Sequence, residues 1–403
     1  MKKWYKIDSH RIISPKLTVK KVLQILKDTN IIKETNFKLK YIWDLDILKS
    51  YTYSIESNVW KRDNWWKGLT KYQALASAIM EFIERYSWYK IIDKINNKSW
   101  LFYKEINEDY IKIEDFILTK IDWEKLNKNK NYFLAKKHRF LKWKSLINNK
   151  EILIPWYEPE FMTTNSLWAW NTLEEAILHA IYELIERHNY NIMMANLLKP
   201  SLINLKTIKN ENILSLIDNI QKKWFDVYLM DCSFYFNTNT IWALIYNKKY
   251  QFISHYSMNF HMWTHWNKDI AIIRALTEVI QNRAANLNNN KLKYKDFNWN
   301  WDIPKWNTFY IVEYYLNLIF NKKLEVKDYS KIKNYDNDDI SIELNYIINE
   351  FKNNNFDLFV LDITDKKVAI PVVRVFSPKL QPMLFELFDN KNDKLSRHSN
   401  FIK

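Results

Sequence analysis

The chain has 403 residues, more than one hydrophobic core usually serves, and its 47% apolar and 27% charged residues exclude a disordered chain and a miniature disulfide scaffold. Its 61 basic against 46 acidic residues leave a formal charge of +15, but the lysines are dispersed along the chain instead of gathered into one basic stripe, so nucleic acid is not an expected partner. A single cysteine, Cys232, excludes internal disulfides and multi-cysteine zinc sites.

At the N-terminus Lys2, Lys3, Lys6 and Asp8 stand where a signal peptide needs an apolar core, and no apolar run is long enough to span a bilayer. A cytoplasmic protein without a membrane partner is expected. Apolar periodicity predicts a helix over 18–28 with Thr18 as its cap, and short strands follow near 51–57. A long helix is expected over 70–87, a second over 172–189 and a third over 268–284. Strands are expected at 225–231, 241–246, 252–256, 358–362 and 369–376. This interleaving implies an α/β fold of mixed layers. Residues 77–85 (SAIMEFIER) align with 179–187 (HAIYELIER), and a weaker copy occupies 275–281 (ALTEVIQ), so two internally related halves around one site are expected.

Each of the long helices is apolar nearly all round and carries one narrow polar stripe. In the first, Gln73, Ser77, Glu81 and Glu84 recur at helical spacing. In the second the stripe is Asn171, Glu175, His179, Glu183 and Glu186, and in the third Arg274, Glu278 and Gln281. A helix of this kind is buried, and a buried carboxylate costs several kcal/mol unless it is paired or bound to metal. The glutamates outnumber the neighbouring Arg85, Arg187 and Arg274, so added cations are required if all ionise. Oxygen-rich sites favour Mg²⁺, which commonly arrives with phosphates. Read singly, Glu81 with Arg85 and Glu183 with Arg187 are ordinary i,i+4 pairs; their recurrence among apolar flanks is what points to a site.

Glycine is nearly absent: average usage of roughly 7% predicts about 28 in this length, whereas the chain has one glycine and 19 tryptophans. Tryptophans cluster immediately before the striped helices, at 65, 66, 168, 170, 263 and 266, in segments expected to be loops. Helix N-termini that approach phosphate closely demand glycine, and an indole there obstructs the ligand. These positions are therefore expected to be glycine in the cell, through a UGA codon reassigned from stop. Even with glycine at every tryptophan no Walker-type run appears, and no serine sits in a nucleophile elbow. Cys232, in MDCSF, is expected as a buried strand-end residue.

With glycine restored, residues 64–88 resemble the opening signature of the YcaO family, a Gly-Lys-Gly turn followed by a Ser-x-x-x-Glu-x-x-Glu-Arg helix. Residues 163–187 resemble its second block and Arg274 with Glu278 its third; 10–26 and 370–382 are similar as well. The resemblance implies a non-P-loop ATP-binding fold, with an N-terminal helix and strands over 1–60, the YcaO domain over 61–380 and a tail over 381–403. It implies ATP and Mg²⁺ as cofactors, with Glu81, Glu84, Glu183, Glu186 and Glu278 holding metal and Lys67, Ser77, Asn171, Glu175, Arg187 and Arg274 contacting nucleotide. It implies an enzyme that phosphorylates a backbone amide oxygen, giving azoline heterocycles or thioamides in a peptide or protein substrate. The final RHSNFIK lacks the alternating prolines of many azoline-forming members. The expected partners are the peptide, a TfuA-like or ThiF-like protein that recognises it, and a second copy in a homodimer. Two alternatives stand beside this reading. One is a non-catalytic MgATP-binding accessory protein for ribosomal-protein methylthiolation. The other is a carboxylate-bridged di-metal helical bundle, although such bundles want Glu-x-x-His, and here Glu81 meets Glu84 and Glu183 meets Glu186.

Overall fold

The computed structural model describes residues 1–6, 9–42, 51–116, 128–129, 131–156, 163–194, 198–247, 249, 257–288 and 308–380. The strand expected at 252–256 and the tail 381–403 lie outside them. In chain order the principal elements are α1 (Pro15–Asp28), α2 (Ile31–Glu34), β1 (Lys38–Ile42), β2 (Tyr51–Ser57), β3 (Trp60–Gly68) and α3 (Lys71–Asn96). Next come β4 (Phe140–Ser145), β5 (Glu151–Pro155), β6 (Leu167–Ala169), α4 (Leu173–Met194), β7 (Ser201–Asn204), α5 (Glu211–Gln221), β8 (Asp226–Asp231) and β9 (Asn239–Tyr246). The chain continues through β10 (Met258–His265), α6 (Lys268–Asn288), α7 (Thr308–Phe320), β11 (Val326–Asp328), α8 (Ile340–Asn353), β12 (Phe359–Asp362) and β13 (Val372–Phe376). The mixed α/β architecture is the one the interleaved periodicities imply. No described helix is long and apolar enough to cross a membrane.

The chain divides into two compact units, one of residues 1–82 with 192–340, the other of 83–191 with 341–403. The first holds a three-stranded antiparallel sheet, β1-β2-β3, and a five-stranded sheet in the order β10-β9-β8-β7-β11. The latter is antiparallel except where β11 runs parallel to β7. Alternate residues Val227 and Leu229 of β8 and Ile241, Ala243 and Ile245 of β9 point to one face and pack against α5 and α6. α5 contributes Ile213, Leu216, Ile217 and Ile220, a single helical stripe, and α6 contributes Ala271, Ile272, Ala275, Leu276 and Val279. The second unit is built on the antiparallel order β5-β4-β12-β13-β6. Each unit thus rests on a five-stranded sheet, which removes the helical-bundle alternative.

Three local expectations are corrected. α1 begins at Pro15, with Ser14 as its cap accepting from the Leu17 amide at 3.4 Å, while Thr18 is buried inside the helix; a proline at the first position has no amide to satisfy and carries a helical φ. Trp65 and Trp66 are not in a loop but in β3, paired with Ser54 and Tyr53 of β2. Trp168 and Trp263 likewise lie in strands, Trp168 in β6 opposite Val373 of β13 and Trp263 in β10 opposite Ile241 of β9. In each, ladder pairing with a neighbouring strand satisfies a backbone that short-range pattern left open, and aromatic residues suit pleated surfaces. Cys232 is buried immediately after β8, as expected, with its thiol 3.6 Å from Met193 Sδ.

Candidate active site

α3 follows the chain's one glycine. A Cβ on Gly68 would lie 2.6 Å from the Ala74 amide nitrogen and 2.6 Å from Gln73 Cγ, so the strand can turn this tightly into the helix only without a side chain. Thr70 caps the helix, its hydroxyl accepting from the Gln73 amide at 3.2 Å. Gln73 and Glu84 are buried and Ser77 and Glu81 half-buried, so the stripe is enclosed as its apolar flanks require. Gln73 Nε2 reaches Ser77 Oγ at 3.5 Å, while Gln73 Oε1 is buried with no hydrogen-bond partner among the described residues. Glu81 and Glu84 sit one turn apart on one face. Arg85 Nε lies 3.8 Å from Glu84. Lys67 is in β3, paired with Thr52; its side chain lies outside the described residues.

α4 carries the second stripe. Thr172 caps it, accepting from the Glu175 amide at 3.3 Å, and Asn171, Glu175, His179 and Glu186 are all buried, Glu175 fully. Arg187 holds both carboxylates of the turn before it, reaching Glu183 at 3.1 Å and Glu186 at 3.4 Å. Burial alone would lower the Arg187 guanidinium, but Glu186 and Glu183 beside it raise it above the ordinary arginine value. It therefore remains charged and fixes the two carboxylates. The indole of Trp168 donates to the other oxygen of Glu183 at 2.6 Å. Its ring stacks on His179 with centroids 5.3 Å apart, and Trp170 meets the same imidazole edge-on at 5.3 Å.

The third stripe is on α6, whose cap is Asn267: its Oδ1 accepts from the Asp269 amide at 2.9 Å and the Ile270 amide at 3.2 Å. Arg274 is buried, with its guanidinium 4.3 Å from the centre of the Trp263 ring. Glu278 lies 4.0 Å from His261 Nε2 on β10, and His261 Nδ1 is 2.7 Å from the Met262 carbonyl. Sequence reasoning did not single out His261, because strand alternation around residues 258–265 gives no reason to prefer one polar position over another. Lys268 anchors the start of this helix, donating to the carbonyls of Tyr329 and Ile332 at 3.0 Å each.

α3 and α4 therefore each supply carboxylates at helical spacing, enclosed by apolar side chains and accompanied by arginine, and α6 supplies Glu278 one turn from Arg274. Such a set can bind hard cations and the phosphates they accompany.

Comparison with known proteins agrees. The family profile described as YcaO cyclodehydratase, ATP- and Mg²⁺-binding, matches residues 67–381. A heterocyclase in complex with substrate and cofactor superposes with a TM-score of 0.71 at 19% identity, over 94% of this chain and 54% of that one. The YcaO protein of Methanopyrus kandleri bound with AMPPCP and Mg²⁺ gives 0.69 at 13% identity over 94% of both chains. The E. coli microcin synthetase McbBCD complex with pro-MccB17 bound gives 0.61 at 12%, over 90% of this chain and 95% of that one. An uncharacterized protein of Methanothermobacter thermautotrophicus is 26% identical over 234 residues, covering 55% of this chain and 57% of its own length. The chain thus spans little more than half of that relative and of the heterocyclase. By the extent of the profile match, this chain belongs to the YcaO family, whose domain binds ATP and Mg²⁺.

Proposed function

We propose that this chain activates a backbone amide of a peptide or protein by ATP-dependent phosphorylation of the amide oxygen. An internal thiol or hydroxyl adding to the carbonyl would give an azoline, and external sulfide a thioamide. The observation that carries the reading is the set of enclosed glutamates on the helices of the YcaO profile, with Arg187 holding Glu183 and Glu186 together.

The donor set fits MgATP. Gln73 Oε1, buried without a partner among the described residues, would gain a donor or a cation. All-oxygen donors of this kind suit Mg²⁺. Glu81, Glu84, Glu183, Glu186 and Glu278 would hold the metal, and Lys67, Ser77, Asn171, Glu175, Arg187 and Arg274 would contact nucleotide. When bound, MgATP supplies the phosphoryl group and the cation that neutralises it. Arg187 keeps the α4 carboxylates in place, Ser77 offers a hydroxyl to the nucleotide, and Arg274 brings positive charge to the phosphates. We place the protein in the cytoplasm, with peptide recognition supplied by a separate TfuA-like or ThiF-like protein.

Two indoles stand against these groups: Trp168 occupies one oxygen of Glu183, and Trp263 covers the Arg274 guanidinium. The proposal therefore includes glycine at positions 65, 66, 168, 170, 263 and 266 in the cell, and peptide mapping of the protein from its host by mass spectrometry tests it directly. Function is tested by titrating MgATP calorimetrically into the chain as given and into a variant with glycine at those positions, then measuring ADP and phosphate release with a cognate peptide and partner. Binding by the glycine form with peptide-dependent phosphate release is expected. Binding without release would support the accessory role instead, and no binding by either folded form would sink the ATP reading.

A further inference from the structure

A separate recognition protein does not by itself hold the peptide against this chain, and the second unit carries a structure that no stripe uses. Leu101 and His138 form an antiparallel bridge, each amide donating to the other's carbonyl at 2.8 Å. In such a pair the flanking residues face the opposite side of the ribbon from the bridged ones. That is what the contacts show: the Arg139 guanidinium lies 4.3 Å from the centre of the Trp100 ring across the ribbon, and Lys137 Nζ lies 5.1 Å from Phe102. Lys104, in the single helical turn that follows at Tyr103–Glu105, approaches Phe102 at 5.4 Å, and nearby Lys136 lies 4.0 Å from the Tyr132 ring. His138 turns the other way and is buried, its Nε2 2.9 Å from the Phe133 carbonyl.

The rings hold the cations; acids do not. Among the described residues the neighbouring ion pairs belong to Lys142, which meets Glu108 at 2.9 Å and Glu151 at 3.4 Å. Glu105 is turned back to accept from the Phe102 amide at 2.6 Å. Arg139 is further fixed by Asn96, donating to its side-chain oxygen and its carbonyl at 3.3 Å each. Lys104 and Lys137 are exposed and Arg139 half-exposed. Their long side chains are thus partly ordered before any ligand arrives, which reduces the entropy lost on binding.

We propose that this ribbon docks an acidic, extended peptide segment, with carboxylates at alternate positions meeting Arg139 and Lys137 and a further acid reaching Lys104 beyond Phe102. Alternate side chains of an extended peptide repeat at about 6.7 Å, the repeat expected between Lys137 and Arg139 on either side of bridged His138. Single-stranded nucleic acid fits less well, because binding it without regard to sequence relies on open aromatic faces for base stacking. Here Arg139 lies against the Trp100 ring and Lys137 and Lys104 approach Phe102, so the protein's own cations compete for these faces, although Trp100 is 52% exposed. Assigning the segment to the modified peptide rests on the function proposed above; the docking surface itself does not.

The test uses fluorescence anisotropy on the full chain, with a fluorescein-labelled alternating Glu-Ser peptide and, separately, a labelled oligothymidine of equal length. Protein carrying Lys104→Glu, Lys137→Glu and Arg139→Glu is compared with the parent, and Lys104→Ala with Lys137→Ala serves as a milder variant should the reversal fail to fold. The acidic peptide is expected to bind the parent, to weaken at least tenfold in the reversal variant, or severalfold in the milder one, and to weaken as salt is raised. Peptide binding unaffected by the substitutions, no peptide binding at all, or tighter binding of the oligothymidine would overturn the proposal. MgATP calorimetry on the same proteins separates the two readings. No nucleotide binding even with glycine at positions 65, 66, 168, 170, 263 and 266 argues against amide activation and leaves the ribbon standing, whereas an unchanged peptide affinity in the variant argues against the ribbon alone.

Discussion

Arg187 shows how one side chain organises a site. Its guanidinium spans Glu183 and Glu186, and its pKa is raised by them against the opposing effect of burial. A basic group whose folded pKa lies above its unfolded value contributes stability that is fully present below the unfolded value and is lost only as pH rises through the folded one. For an arginine that window lies far above neutrality, so the clamp is intact at every physiological pH. Replacing Arg187 by Ala leaves two enclosed carboxylates without it and is expected to cost about 3 kcal/mol in urea unfolding at pH 7, near the low end for breaking a buried pair. An unchanged urea midpoint would show that the clamp contributes no net stability.

Trp224 makes a second case at the same scale. It follows α5 with a φ of 67°, in the left-handed region, and its side chain is 69% exposed. A bulky residue there is strained by roughly 1–2 kcal/mol, and glycine is not. Trp224→Gly is expected to raise the urea midpoint by the equivalent of about 1 kcal/mol, although it removes the ring 3.7 Å from Lys249 Nζ. A fall in the midpoint would mean that the ring contact outweighs the strain. Backbone sterics thus favour glycine at this position as well.

At the scale of elements, the striped helices depend on their first turns. α3, α4 and α6 are capped by Thr70, Thr172 and Asn267, each accepting from backbone amides that would otherwise lack partners. Asn267 satisfies two amides, so Asn267→Ala is expected to cost between about 1 and 2 kcal/mol in thermal unfolding, and Asn267→Asp to recover most of it. Equal losses in both variants would show that an accepting side-chain oxygen at this position is not what the helix start requires. The extent of these helices was legible in part. The 3.6-residue period finds their apolar faces, but α3 runs on to Asn96 where the period suggested 87, because Tyr86, Trp88 and Ile95 are still buried beyond the stripe. The tryptophan segments were misread as loops because residues 60–68 and 258–265 lack clear alternation; their pairing partners β2 and β9 determine that they are strands.

At the scale of the whole molecule, binding to the folded state alone raises stability by mass action, about 2.7 kcal/mol at a hundredfold excess over the dissociation constant. MgATP is therefore expected to raise the melting temperature of the glycine-substituted protein by several degrees, and Glu183→Gln with Glu186→Gln to abolish the shift while the protein stays folded. A shift that survives both substitutions would remove these residues from the metal set. What the sequence alone determined is the helical part of the candidate site: Glu81, Glu84, Glu175, Glu183, Glu186 and Glu278 recur at spacings that one helix face dictates, and the apolar residues around them require enclosure. Tertiary structure decided the rest. The three-residue strands β6 and β11 exist only because β13 and β7 lie beside them, and Trp168 meets Glu183 from a strand while Glu278 lies beside His261 across a helix and a sheet. Helical spacing is set within a few residues of the chain, whereas strand pairing and contacts between elements join residues far apart in sequence, and no local pattern records them.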